Sequence, residues 1–297
     1  MMLTGFAALL LAVTVPFTFF DNRMLVECRI NGRGPFTMIV DTGAPDVTIT
    51  PETARTLSVS VHSAGAVSGA GNKNVSSGTV KIASFSVGPL AFNVREATVL
   101  DLSQIKTKFR FPHLDGVVGY PLFEHFAVTV DPDRRTLSFT RRAPAAPDGA
   151  TTTRFTGFLP EIAAAIDGIP TTVIIDTGDR SSLTLFGPFA RKHAFYGRYP
   201  SQQHIVTGYG LGGPIYADVF SLPSLDVFGM HLTNVVTRAS RQTGGVFALS
   251  QQGGSIGEGV LKRFDLVYDY PHKRIIAWPS ALRNVADRFV APGSAQR

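Results

Sequence analysis

Apolar positions in this chain come in short runs, many alternating with polar ones, and turn residues break the runs at close intervals. Residues 24–30 and 36–40 form two such runs separated by Asn31-Gly32. Residues 162–166 and 172–175 form two more, separated by Asp167-Gly168. Asn-Gly and Asp-Gly between apolar stretches predict tight hairpins, because both central residues of a type I′ turn take positive φ. Residues 13–20 read as a first strand. Helices are expected to be brief: Pro51 to Arg55, capped by Thr50, and segments near 121–126 and 259–264. The pattern predicts an all-β fold with a few short helices.

The pattern also repeats. Each hairpin leads into a β-branched run that ends in the same tripeptide: Met38-Ile39-Val40 before Asp41-Thr42-Gly43, and Val173-Ile174-Ile175 before Asp176-Thr177-Gly178. Downstream, Val117-Val118-Gly119 corresponds to Ser255-Ile256-Gly257, and residues 126–131 correspond to 264–269. A basic turn then leads into a short apolar strand in each half (137–139 and 275–278). Asp41 and Asp176 are 135 residues apart, and Gly119 and Gly257 are 138 apart. A near-constant offset over so many features marks an internal duplication. It divides the chain into residues 1–12, a first lobe at 13–140, a linker of Pro, Ala and Gly at 141–151, a second lobe at 152–281, and a tail at 282–297 that is expected to fray.

A strand ending in a carboxylate, followed by a turn at glycine, presents that carboxylate at a sheet edge. Two such strands related by a pseudo-two-fold axis bring two carboxylates face to face. At about 3 Å the two cannot both ionise, so one proton is shared and the pair offers one acid and one base. With these motifs, over residues 13–281, the chain resembles the pepsin and retropepsin clan of aspartic proteases, and most of all bacterial proteins with two retropepsin-like lobes in one chain. The resemblance implies a bilobal all-β fold and an aspartic endopeptidase that acts on peptide or protein substrates without cofactor or metal. Asp41 and Asp176 would be catalytic. Thr42, Gly43, Thr177 and Gly178 would support them. The hydrophobic-hydrophobic-glycine strands would pin the two loops, with Ser255 a departure from the apolar pattern. Glycine-rich segments at Gly69 and Gly71, and at Gly208, Tyr209 and Gly210, would be flaps over the substrate, with Tyr209 the one aromatic at a tip. Because both halves lie in one chain, a monomer is the expectation.

Composition adds bounds. With 44% apolar and 17% charged residues the chain reads as globular. The net charge of +6 is scattered and no nucleic-acid motif accompanies it, so no nucleic-acid partner is expected. The single Cys28 reads as a small buried apolar residue. Residues 1–12 are apolar and uncharged. They read as an atypical signal segment, as a lead into the first strand, or as a membrane tether, and the first of these makes the protein secreted or periplasmic. The seven histidines show no metal-ligand spacing.

Two other motifs fail on context. Gly208 to Gly213 fits G-x-G-x-x-G, but Pro214 and β-like residues follow where a helix is required. Gly253 to Gly257 fits G-x-S-x-G, but no strand precedes it. Asp179 is the departure that matters, since the clan places Ser, Thr or Ala there. Facing inward, it would raise the pKa values of the pair or abolish activity. Facing outward, onto Arg180, it would be a turn residue. It keeps open the alternative of an inactive, peptide-binding relative with the same fold. A hydrolase of non-peptide substrates is a third reading.

Overall fold

The computed structural model describes residues 12–293, so the segment read as a signal or tether lies almost wholly outside the described residues. Among them, no helix is long and apolar enough to cross a membrane. The hairpins form where the turn chemistry places them. Asn31 and Gly32 have φ of 53° and 72°, and Asp167 and Gly168 have 52° and 76°. They bring Ile30 opposite Arg33 and Ile166 opposite Ile169.

Three sheets result. A ten-stranded sheet carries lobe one and includes Arg23–Ile30, Arg33–Val40, Val47–Ile49 and Gly116–Val118. A seven-stranded sheet carries lobe two and includes Ile169–Ile175, Leu183–Leu185, Gly254–Ile256 and the long strands Gly213–Val227 and Met230–Ser240. The third sheet, of six strands, takes three from each half. At its centre Ala127–Asp131 runs antiparallel to Phe264–Asp269, pairing Val128 with Tyr268. These two strands are repeat copies of each other. Antiparallel pairing of a segment with its own copy is what a two-fold axis between the lobes requires. Over this sheet Phe123 packs on Tyr268 and Tyr270, with ring centroids 5.5 and 5.3 Å away, and joins the lobes through one apolar core.

Several elements differ from the sequence reading. Residues 13–20 form two strands: Val13–Pro16 joins the inter-lobe sheet and Thr18–Phe20 joins lobe one, the chain changing sheets after Pro16. The helix Pro51–Leu57 has its Thr50 cap, whose Oγ1 accepts from Thr53 N. The segment near 121–126 is a 3₁₀ turn at Tyr120–Leu122, and its counterpart is the helix Glu258–Leu261. Helices Ser103–Phe109 and Gly187–Lys192 carry no sequence signal strong enough to mark them; the first buries only Phe109. A strand begins at Thr151, inside the expected linker. The tail is docked: Asp287 accepts from Ser182 Oγ (2.6 Å) and Val236 N (2.8 Å), and Val290 O accepts from Arg180 (2.8 Å). Cys28 is fully buried, and burial pushes its thiol up.

Candidate active site

Both Asp-Thr-Gly loops leave their strands at the same edge and meet at the lobe junction. Asp41 N donates to Val118 O and Asp176 N to Ile256 O, each at 3.0 Å, so a glycine-containing strand threads beside each loop and fixes it. Gly116–Val118 lies parallel to the end of Arg33–Val40, and Gly254–Ile256 to the end of Ile169–Ile175, pairing Val117 with Ile39 and Ser255 with Ile174. Ser255 therefore occupies the place of Val117, on a strand, and its buried hydroxyl has no hydrogen-bond partner.

The threonines lock the loops to each other. Thr42 N donates to Thr177 Oγ1 (3.0 Å) and Thr177 N to Thr42 Oγ1 (3.1 Å). The hydroxyls donate onward across the junction, Thr42 to Ile175 O (2.7 Å) and Thr177 to Val40 O (2.8 Å). Four reciprocal bonds among buried groups allow almost no relative movement. The glycines let the carboxylates approach. A Cβ on Gly43 would sit 3.1 Å from the Asp176 carboxyl, and one on Gly178 would run into the carboxylate of Asp41.

Asp41 and Asp176 consequently face each other and share a hydrogen bond. Gly43 N donates to Asp41 Oδ1 (2.7 Å). Gly178 N and Asp179 N donate to Asp176 Oδ1 (3.0 and 3.1 Å). Burial pushes Asp41 above the usual carboxylate range, partly opposed by the Gly43 amide and by Arg23. Burial, with the charges of Asp41 and then Asp179, pushes Asp176 well above it.

Asp179 follows the inward expectation in raising the pair, and not the outward one. It does not meet Arg180, which instead pairs with Asp21 (2.7 Å). Its carboxylate turns into lobe two, where Arg238 Nη2 donates to both oxygens (3.0 and 2.9 Å), joined by Ser181 N, Ser181 Oγ and Thr184 Oγ1. Burial alone would raise its pKa, but Arg238 and these donors hold it below the ordinary value. Its negative charge still reaches Asp176, softened by its cation.

The pair lies at the floor of a cleft of about 430 Å³. Ile39, Ile105 and Phe109 line it from lobe one, and Ile174, Phe186 and Phe247 from lobe two. Two hairpin tips form its roof and touch. Gly71 N donates to Leu211 O (2.8 Å), Lys73 N to Gly212 O (3.2 Å) and Val246 N to Gly69 O (2.9 Å). Asn72 Oδ1 accepts from Thr243 N and Gly244 N (both 3.1 Å), and Gln242 Nε2 donates to Ala70 O (3.4 Å). Gly69, Gly208, Tyr209 and Gly210 line the cleft. Gly71 does not; it abuts Gly212 in the junction between the tips, so its lack of a side chain serves the tip contact and not a substrate. Tyr209 meets the Phe109 ring edge-on at 6.3 Å. Arg23, Arg180 and Arg238, all buried at the cleft wall, have no local motif and were invisible in the sequence.

Two lobes of one pattern, with facing aspartates at their junction, make the fold that of a bilobal aspartic protease. Residues 26–122, which hold Asp41 and its pinning strand, match the aspartyl protease family. An aspartic proteinase from Irpex lacteus shares the fold, with a TM-score of 0.59 and 14% identity over 94% of this chain and 100% of that one. No curated protein matches the chain. The family match covers the first lobe, and the fold of the whole chain is that of an aspartic proteinase.

Proposed function

We propose that the protein is an aspartic endopeptidase whose Asp41 and Asp176 activate a water between them. The observation that carries this is the locked pair itself: two carboxyls sharing a hydrogen bond at the floor of a cleft, on loops tied by four threonine bonds. A pair raised by burial keeps its shared proton beyond the pH at which a free carboxyl loses it. One member then takes the water proton and the other donates to the carbonyl oxygen. A peptide would lie extended between roof and floor, with apolar side chains against Ile39 and Phe109 on one side and Ile174 and Phe247 on the other. Both carboxylates come from one chain, so a monomer suffices. The inactive, peptide-binding reading drew on Asp179; with that carboxylate paired to Arg238, the support moves to hydrolysis.

The test is cleavage of a mixed peptide library from about pH 3 to 8 by wild type, Asp41→Asn and Asp176→Asn. Either substitution keeps shape and removes the shared proton, so kcat/KM is expected to fall at least ~10³-fold, the scale of losing a general acid or base. The profile should extend toward neutral pH, because the pair is inactivated only when Asp176, held high, finally ionises. Equal cleavage by all three proteins would sink the assignment.

A further inference from the structure

Beside the pair, a buried cluster joins the lobes on one side only. The turn Asp21-Asn22, with φ of 49° and 58°, pushes lobe one into lobe two. Asp21 accepts from Arg23 Nη1 (2.5 Å) and from Arg180 Nε (2.8 Å) and Nη2 (2.7 Å). Asn22 Nδ2 donates to Arg180 O (2.7 Å), and Lys262 Nζ donates to Asn22 Oδ1 (2.8 Å). Arg23 Nε donates to Gly178 O (2.9 Å), and the Phe109 ring lies beneath both guanidiniums, 4.6 and 5.2 Å from their centres. Arg180 spends its third nitrogen on Val290 O. Arg23 lines the cleft. At the repeat offsets of 135 to 138 residues, its counterparts are Phe158 to Glu161, none of them basic. The cluster has no twin.

Two features of it bear on the chemistry. Gly178 is the residue whose backbone abuts the Asp41 carboxylate, so Arg23 holds that abutment from behind. In addition, two guanidiniums share the Asp21 carboxylate, which leaves positive charge on the side of Asp41. On the other side the Asp179 carboxylate sets negative charge beside Asp176, outweighing the pull of the Asp179 amide that Asp176 accepts. We infer that the Asp21–Arg23–Arg180 cluster is a positioning device that makes the pair unequal: Arg23 keeps Asp41 ionised as the base and leaves Asp176 protonated as the acid. This rests on the proteolytic reading above.

In the attack, a water O–H bond breaks and its proton goes to Asp41, while the oxygen bonds to the carbonyl carbon. The carbonyl π pair moves to its oxygen, which takes the proton of Asp176, giving a neutral diol. On collapse Asp41 returns its proton to the departing nitrogen as the C–N bond breaks, and Asp176 recovers a proton from a diol hydroxyl. The pair ends as it began.

Each element packed on the pair contributes a group. Arg23 comes from the lobe-one strand. Asp179, backed by Arg238 of Met230–Ser240, comes from the second loop, the Tyr268 hydroxyl from the inter-lobe sheet and the Tyr270 hydroxyl from the 3₁₀ turn Tyr270–His272 that follows it. Glu258 lies near Tyr268 and Lys262, and burial pushes it up to about 8. Of these, Arg23 is the cation facing Asp41.

The inequality is read by carbon-13 titration of the aspartate carboxyls, alongside the pH profile of kcat/KM. Arg23→Gln removes a cation that favours the ionised pair, so its first ionisation and the acid limb are expected to rise by about one pH unit. Asp21→Asn removes an anion from the same cluster, so both should fall. Arg23→Lys keeps the charge and should stay near wild type. A merely structural role would move the Gln and Asn variants in the same direction, because both loosen the same contact. That result, or no shift in either, would overturn the inference. Wild type that binds peptides without cleaving them would instead overturn the proteolytic reading, and the carboxyl titration would still report whether the pair is unequal.

Discussion

Up to their glycines the two loops are copies, each with a carboxylate, a cross-bonded threonine and a neighbouring strand accepting the aspartate amide. Beyond them they part. After Gly43 comes Ala44, a small side chain that adds no charge. After Gly178 comes Asp179, whose carboxylate requires Arg238 from 59 residues away, with Ser181 and Thr184 to complete its shell. Lobe one pins its loop with an apolar Val117, and lobe two with a serine whose hydroxyl is unpartnered. Duplication has preserved the geometry of the pair while letting its electrical surroundings diverge. The lobes are equal as scaffolds and unequal as environments.

The largest break in that comparison is expected from the glycines. Gly178→Ala drives a methyl into the Asp41 carboxylate, whereas Gly43→Ala meets its neighbours at 3.1 Å. Displacing a reacting group by about 1 Å costs on the order of 10²-fold. Gly178→Ala should therefore lose that much in kcat/KM, and Gly43→Ala about tenfold. Equal losses would show that the two approaches are equally tight.

Next comes Asp179→Asn, which leaves Arg238 buried without its anion. Breaking such a pair costs roughly 3 kcal/mol, measurable by urea unfolding near pH 7. The sign with pH follows from linkage. Asp179 titrates below its ordinary value in the folded protein, so it stabilises above the unfolded pKa, and that contribution is lost as pH falls through the folded one. The gap between variant and wild type should close on acidification. Activity should move the same way, both limbs of its pH profile falling, because an anion near Asp176 is replaced by an unopposed cation.

The smallest effect is expected at Ser255. Ser255→Ala removes a buried hydroxyl with no partner, and should stabilise by up to about 1 kcal/mol with cleavage unchanged. A loss would mean that the hydroxyl is satisfied in solution by bound water.

What the sequence made legible follows from range. The hairpins at Asn31-Gly32 and Asp167-Gly168 are set by adjacent residues, and the pinning strands by a repeat that could be aligned by eye. The facing aspartates follow once two-fold symmetry is granted. The partners of Asp179 and Gly178 could not be read in this way: Arg238 and Arg23 reach them only through tertiary packing, across 59 and 155 residues. For the same reason Arg180, adjacent in sequence, was the wrong candidate. The helix Ser103–Phe109 is illegible in the sequence because its single apolar pair, Ile105 and Phe109, is too short a run to establish a period.

The roof carries a kinetic consequence. Six hydrogen bonds tie the tip around Ala70 to two segments of lobe two. At ~0.5 kcal/mol net for each bond, they would hold the open form to roughly one molecule in a hundred. Capture rates scale with that fraction, as for any binding-competent minority state. A chain segment must also already be extended when the opening occurs. On the proteolytic reading, such a latch would act as a timing filter that favours slack, unstructured stretches over folded surfaces.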